Sequence, residues 1–141
     1  MEAVRRFESM GVDTLERSLE IIKRRWEVDT PKPLRPIPIL IGGGEKKTLR
    51  IAAKHANMTH FFADLATFTH KMEVLDNWCA ELNRDPREIE HACEVPSLIS
   101  DAQRDDYVVA GASHFILGMG TPWNYDAVED LVRWRDARNS K

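Results

Sequence analysis

Short apolar segments alternate with amphipathic helical segments along this chain, and this alternation limits its fold more strongly than any other feature. The strand candidates are the runs 37–41, 58–62, 91–99 and 113–117. Apolar residues at helical spacing separate them, as in the stripe that begins at Leu49. Because strands that alternate with helices pair in parallel through right-handed crossovers, the sequence predicts an α/β domain with four parallel strands.

The same pattern predicts one domain over 1–141 with three parts. A leading helix occupies 1–30, a proline-rich connector occupies 31–38, and four strand–helix units occupy 39–141. A closed parallel barrel needs eight strands. Four strands therefore predict either a small open sheet or half of a (β/α)8 TIM-type barrel.

Composition excludes several classes of function. The net charge is −3, with 20 basic and 23 acidic residues, which gives no electrostatic basis for binding nucleic acid or an anionic membrane. No apolar run is long enough to cross a bilayer, and the first six residues lack the apolar segment of a secretory signal. Cys79 and Cys93 do not have metal-binding or redox spacing. We therefore expect a cytoplasmic domain without a metal site.

Three consecutive glycines, Gly42, Gly43 and Gly44, stand between the first strand candidate and the next helix. Glycine permits positive φ and close backbone approach, and the free N–H groups at a helix N-terminus attract phosphate. The segment is not a nucleotide-triphosphate loop, because Lys46 stands where that motif needs a glycine. From the residues alone, the segment is compatible either with a phosphate site or with a tight turn that holds no ligand.

The segment 36–57, Pro-Ile-Pro-Ile-Leu-Ile-Gly-Gly-Gly-Glu-Lys-Lys-Thr-Leu-Arg-Ile-Ala-Ala-Lys-His-Ala-Asn, resembles the bacterial luciferase-like oxidoreductases, above all their deazaflavin (coenzyme F420)-dependent branch. The likeness continues through 15–26, 58–62, 71–79, 83–86 and 113–117. That family folds as a (β/α)8 barrel. The resemblance implies that this chain corresponds to the carboxyl-terminal half, strands five to eight.

The resemblance also implies a function: a flavin- or deazaflavin-dependent oxidoreductase or monooxygenase, or a part of one, that uses F420 or FMN on a small-molecule substrate. The expected cofactor-binding residues are Gly42, Gly43, Gly44, Lys46, Lys47, Thr48, Asn57 and Thr59. The cofactor phosphate is expected on the loop 42–48, and no catalytic residue is identified. The alternatives are a catalytically silent, truncated half-barrel and a small phosphate-ligand binding module.

Among the ionisable residues within the strand candidates, His60 and Glu94 bear most on a possible site. His60 is near the end of its strand, where barrel enzymes place their sites, and imidazole exchanges protons near neutral pH. Glu94 interrupts an otherwise apolar strand. The sequence favours structural roles for both; the alternatives are polarisation or proton transfer for His60, and cofactor tuning or substrate binding for Glu94.

A half-barrel leaves two strand edges and an apolar inner face without partners. Two copies related by a two-fold axis would satisfy both edges. We therefore expect a homodimer.

Overall fold

The computed structural model describes residues 2–44, 46–96, 99–123 and 125–140, and the side chains among them from residue 14 onward. Within these ranges the elements follow in the order α1 (Glu2–Val28), β1 (Leu40–Gly42), α2 (Lys46–His55), β2 (Met58–Phe62), α3 (Leu65–Glu81), a 3₁₀ turn (Pro86–Glu88), β3 (Glu90–Val95), α4 (Asp101–Val109), β4 (His114–Leu117) and α5 (Tyr125–Asn139).

The four strands form one parallel sheet in the order β1-β2-β3-β4. Each strand pairs with its neighbour in sequence, and a helix separates every two strands, which is the arrangement within a (β/α)8 barrel. The predicted α/β class with four parallel strands is therefore confirmed, and its form is consistent with half of a barrel.

The structure differs most from the predicted strand bounds at β1 and β3. β1 begins at Leu40 rather than Ile37, because Pro36 and Pro38 cannot donate backbone hydrogen bonds to a sheet. β3 ends at Val95, immediately before Pro96. Apolar residues continue on the far side of Pro38 and of Pro96, and for this reason the predicted strands are longer than the observed ones.

The main core lies between the sheet and the helices α2 and α3. Ala53 on α2 and Ala56 immediately after it are fully buried, and such small side chains let α2 and α3 approach closely. From the sheet, Phe61 meets Phe68 of α3 edge to face, with ring centroids 6.0 Å apart. Phe68 in turn contacts the Tyr107 ring of α4 in the same geometry.

The turn after α3 holds the C-terminus of α2. The Arg84 guanidinium donates hydrogen bonds to the Ala53 and Ala56 carbonyls at 2.9 and 2.6 Å. The last carbonyls of a helix lack partners within it and attract cations, so Arg84 stabilises this end. Asp85 begins the 3₁₀ turn by accepting from the Arg87 N–H. This support fixes the C-terminal end of α2.

The opposite, inner face of the sheet carries no helix of the described chain. Register places Gly42, His60, Ala92 and His114 in one row on this face. Phe62 on the same face is 79% exposed. In a closed barrel this face would be interior.

Candidate functional site

The three glycines form the connection from β1 to α2. Gly43 and Gly44 have φ angles of +69° and +85°, a region that side chains rarely adopt. The Gly43 N–H donates to the His60 carbonyl at 3.0 Å, which ties the loop to β2. A Cβ on Gly43 would meet no heavy atom within 4 Å, whereas one on Gly44 would collide with the Thr48 side chain. The loop is therefore open outside Gly43 and tightly packed at Gly44.

Three lysines lie around this loop. Lys46 and Lys47 are exposed in the first turn of α2, a turn without an acidic residue among those described. Lys71 of α3 donates to the Gly44 carbonyl at 2.6 Å and lies 5.7 Å from the Phe61 ring centroid. The positive end of the α2 dipole adds to these charges.

This arrangement fits a phosphate group. Open space beside Gly43, a helix N-terminus and neighbouring cations are the features that bind phosphate in other α/β folds. Sequence reasoning did not identify Lys71, because 27 residues separate it from Gly44 and the helical pattern around it carries no sign of the contact.

Asn57 and Thr59 lie elsewhere. The Asn57 side chain accepts from the Ile39 N–H at 3.0 Å, before the amino end of β2. Thr59 is fully buried on the helix-covered side of the sheet, and its Oγ1 is 2.9 Å from Nδ1 of His91. The structure thus brings Lys46, Lys47 and Thr48 together with the glycines but leaves Asn57 and Thr59 outside that group.

His60 and Glu94 form a pair on the inner face. Nε2 of His60 is 3.8 Å from Oε2 of Glu94, and both side chains are about one-third exposed. Nε2 itself is buried without a hydrogen-bond partner in the described structure. A Cβ at position 118 would collide with the Glu94 carboxylate, so Gly118 leaves the space that this carboxylate occupies. A pair this long and this exposed contributes little stability.

A second His–Glu pair lies on the same face at the amino-terminal end. Nδ1 of His114 is 3.4 Å from Glu90 Oε2, and both side chains are more than half exposed. Since barrel enzymes place their sites at the carboxyl-terminal end, the His60–Glu94 pair is the one near a candidate site. The His114–Glu90 pair provides a control of matched chemistry.

A cleft of about 650 Å³ opens beside Glu94, at the carboxyl ends of β2 and β3. Its walls are mostly apolar and come from the two strand ends and from α3 and α4, including Phe62, Leu65, Ile99 and Tyr107. The Tyr107 hydroxyl donates to the Ala63 carbonyl at 3.0 Å and fixes one wall. Asp64, Thr67, Glu94, Gln103 and Asp106 also line the cleft, so it combines apolar walls with polar groups that can orient a small molecule.

The cysteines do not suit thiolate chemistry. Burial raises the pKa of the Cys93 thiol to about 11, and burial also raises the pKa of Cys79. A thiol with a raised pKa is protonated near neutral pH and is a poor nucleophile or ligand. Among the described residues, no three His, Cys, Asp or Glu side chains are grouped as a metal site would require.

No helix among the described residues is long and apolar enough to span a membrane.

Most of the chain is similar to known proteins. The sequence profile of the luciferase-like monooxygenase family matches residues 17–141. A search of curated protein sequences gave no match. Among solved structures, one match is an F420-dependent secondary alcohol dehydrogenase in complex with an F420-acetone adduct, with a TM-score of 0.69 and 13% sequence identity.

This structural match covers 82% of the present chain and 58% of the dehydrogenase. The chain thus spans little more than half the length of that enzyme, and at this identity the likeness concerns the fold. The family profile is independent of that comparison and omits only the first 16 residues. This chain belongs to the luciferase-like monooxygenase family.

Proposed function

We propose that this chain is the cofactor-phosphate-binding part of an oxidoreductase that uses F420 or FMN. The observation that carries the proposal is the open glycine loop at the carboxyl end of β1, followed directly by the N-terminus of α2. Family membership and the fold support the redox class.

The loop would hold the cofactor by its phosphate. Backbone N–H groups at the start of α2 and the positive φ of Gly43 suit close approach by phosphate oxygens. Lys46 and Lys47 would add positive charge from the solvent side. Lys71 would act by fixing the Gly44 carbonyl, since its ammonium group donates there.

The cofactor, when bound, supplies the redox chemistry through its ring. The chain's own task is then to orient the ring, exclude water and handle protons. Oxidation of a hydroxyl to a carbonyl by hydride removal also releases a proton, and the matched dehydrogenase is named for such a reaction. Nε2 of His60, unpartnered and beside Glu94, is the atom placed to hold that proton.

The test of cofactor binding is a fluorescence titration of F420 into the full chain, with FMN titrated in parallel. Gly43→Asp should weaken F420 binding at least tenfold, about 1.4 kcal/mol, through charge repulsion and the loss of close backbone approach. Gly120→Asp is the control for an added charge in an open loop, because an added Cβ at Gly120 also meets no heavy atom within 4 Å, although Gly120 lacks the positive φ of Gly43. Equal affinity for all three proteins would contradict the phosphate assignment.

The same experiment distinguishes a phosphate-ligand module. The observation that favours such a module is the open inner face, because this chain by itself would cover a cofactor ring on one side. If inorganic phosphate binds as tightly as F420 and Gly43→Asp weakens both, the module is correct. If neither binds, the chain is a silent half-barrel.

Proton handling is tested by His60→Gln. The variant should lower kcat for alcohol oxidation by about 10²-fold or more while the Kd for F420 stays unchanged. His114→Gln should leave both quantities unchanged. Equal loss in the two variants would remove His60 from the mechanism.

A further inference from the structure

The accessible surface of this chain is larger than that of a compact protein of its mass. The chain exposes 10135 Å². A compact monomer of 16.2 kDa is expected to expose about 7,500 Å². Even a third of this excess, about 900 Å², matches what one partner buries in a standard protein–protein interface. The chain therefore carries enough surplus surface for a stable partner.

Part of that surplus lies on the inner face and its edges. Leu40 on β1 is 51% exposed and Ile116 on β4 is 38% exposed. Register places Phe62, Glu94 and Ile116 in one row, so the exposed apolar residues face the same space. In the described sheet β1 and β4 each pair on one side, which leaves one free edge on each.

The two free edges are complementary to each other. All four strands are parallel, so a two-fold axis along the strand direction would place β4 of one copy beside β1 of the other in parallel. Both edges of both copies would then pair at once, and eight strands are the number that closes this type of barrel.

The outer side of the β4 edge fits the same arrangement. A mostly apolar cleft of about 320 Å³ opens there between β4 and α5, and Phe115, Val132 and Trp134 line it. Helix α1 precedes β1 and packs on α2, so α1 of a second copy would lie over this side of β4. Ile21 and Ile22 of α1 are each 40% exposed and could fill an apolar cleft.

We propose that a second copy of this chain closes the barrel, with β4 of each copy paired to β1 of the other. The arrangement covers the inner face and encloses the His60–Glu94 pairs of both copies. It also places the two glycine loops at one end of the barrel. The proposal concerns assembly and does not require that F420 bind.

The test is the solution mass of the full chain at micromolar concentration without cofactor, by sedimentation equilibrium. We expect twice 16.2 kDa. Leu40→Lys and Ile116→Lys each place a charge on the closed inner face, and each should weaken the dimer at least tenfold. Val109→Lys is the control, since Val109 is 86% exposed on α4, and its mass should stay that of the dimer.

Circular dichroism of each variant shows whether the helices and strands remain folded. A monomer at every concentration for the unaltered chain would overturn the proposal. A dimer that resists both inner-face variants would also overturn it, because the contact would then lie elsewhere. A monomer that forms a one-to-one complex with the amino-terminal half of another family member would assign the face to that half instead.

Discussion

The region around β2 and the region around α5 are stabilised in different ways. Around β2, the sheet and the helices α2 and α3 bury Phe61, Phe68 and Leu75 almost completely. At the β4 edge of the sheet, Ala127 and Trp134 of α5 are buried but do not belong to the main core around β2. There, Trp134 meets Phe115 edge to face at 4.9 Å, and the remaining described contacts are largely ionic.

The ionic contacts join α4 to α5. Arg104, buried on α4, bonds Asp101 at 2.7 Å and Asp130 of α5 at 2.5 Å. Asp105 accepts from both the Trp134 indole and Arg138. The central strand β2, with neighbours on both sides, therefore builds an apolar core, while α5 is held to α4 largely by charged side chains and to the edge strand β4 by one aromatic pair. The α5 region should therefore be the less stable of the two.

The largest expected effect comes from the apolar region. Phe68→Ala should lower the free energy of unfolding by about 3–5 kcal/mol, because it opens a cavity between the Phe61 and Tyr107 rings. Urea denaturation followed by circular dichroism measures the loss. Val109→Ala, on an exposed position, should change the free energy by less than about 0.5 kcal/mol. A Phe68→Ala loss as small as that control would show that α3 is not part of the core.

The next effect concerns the support of α2. Arg84→Met should cost about 2–3 kcal/mol, because the Ala53 and Ala56 carbonyls lose charged hydrogen-bond donors. Arg87→Met is the control, since the Arg87 side chain is 88% exposed and pairs with Asp85 at the surface. Thermal melts of the two variants should differ clearly. Indistinguishable melting temperatures would show that Arg84 does not hold α2.

A smaller and local effect is expected in the ionic region. Arg104→Met should speed amide hydrogen exchange in α5 about tenfold and leave exchange in α3 unchanged, because the α4–α5 contacts open separately from the core. Sodium chloride at about 1 M should act in the same direction through screening. Exchange that accelerates equally in both helices would mean that the two regions unfold together.

The smallest effect is on the pH dependence of stability. Burial lowers the pKa of His91, and burial together with the Lys23 charge lowers the pKa of His55. Below a pH of about 6.5 the unfolded chain takes up protons at these residues, which the folded chain resists, so stability should fall there. Above that pH these two residues contribute no such change.

Unfolding at pH 7.5 and pH 5.5 measures this difference. Both pH values lie above the range in which Glu16 takes up its proton, because the hydrogen bond from Lys54 lowers the pKa of Glu16. His91→Gln should reduce the difference, and the exposed His70→Gln should preserve it. A His91→Gln variant with the full pH dependence would contradict the prediction.

The sequence predicted the fold more fully than the site. The run Met58–Phe62 and the helix from Leu65 follow from apolar periodicity alone, because burial of an element imposes its period on the sequence. The boundaries of β1 and β3 were less accurate, since hydrophobicity continues past the prolines that end the pairing.

The site depends on contacts between residues distant in the sequence. The glycine loop is visible as three adjacent residues, but the Lys71 bond to Gly44 and the His60–Glu94 pair arise only when the strands and helices are assembled. Thr59 illustrates the opposite case. The resemblance implied that Thr59 binds the cofactor, while the register turns its side chain to the helix-covered side of the sheet.

The most direct test of the central claim, that the β1–α2 loop binds the cofactor phosphate, is nuclear magnetic resonance of the isotope-labelled chain during an F420 titration. The largest backbone amide shifts should occur at Gly43, Gly44 and the first turn of α2, and Gly43→Asp should abolish them. Shifts confined to other parts of the chain, or no shifts at saturating F420, would contradict the claim.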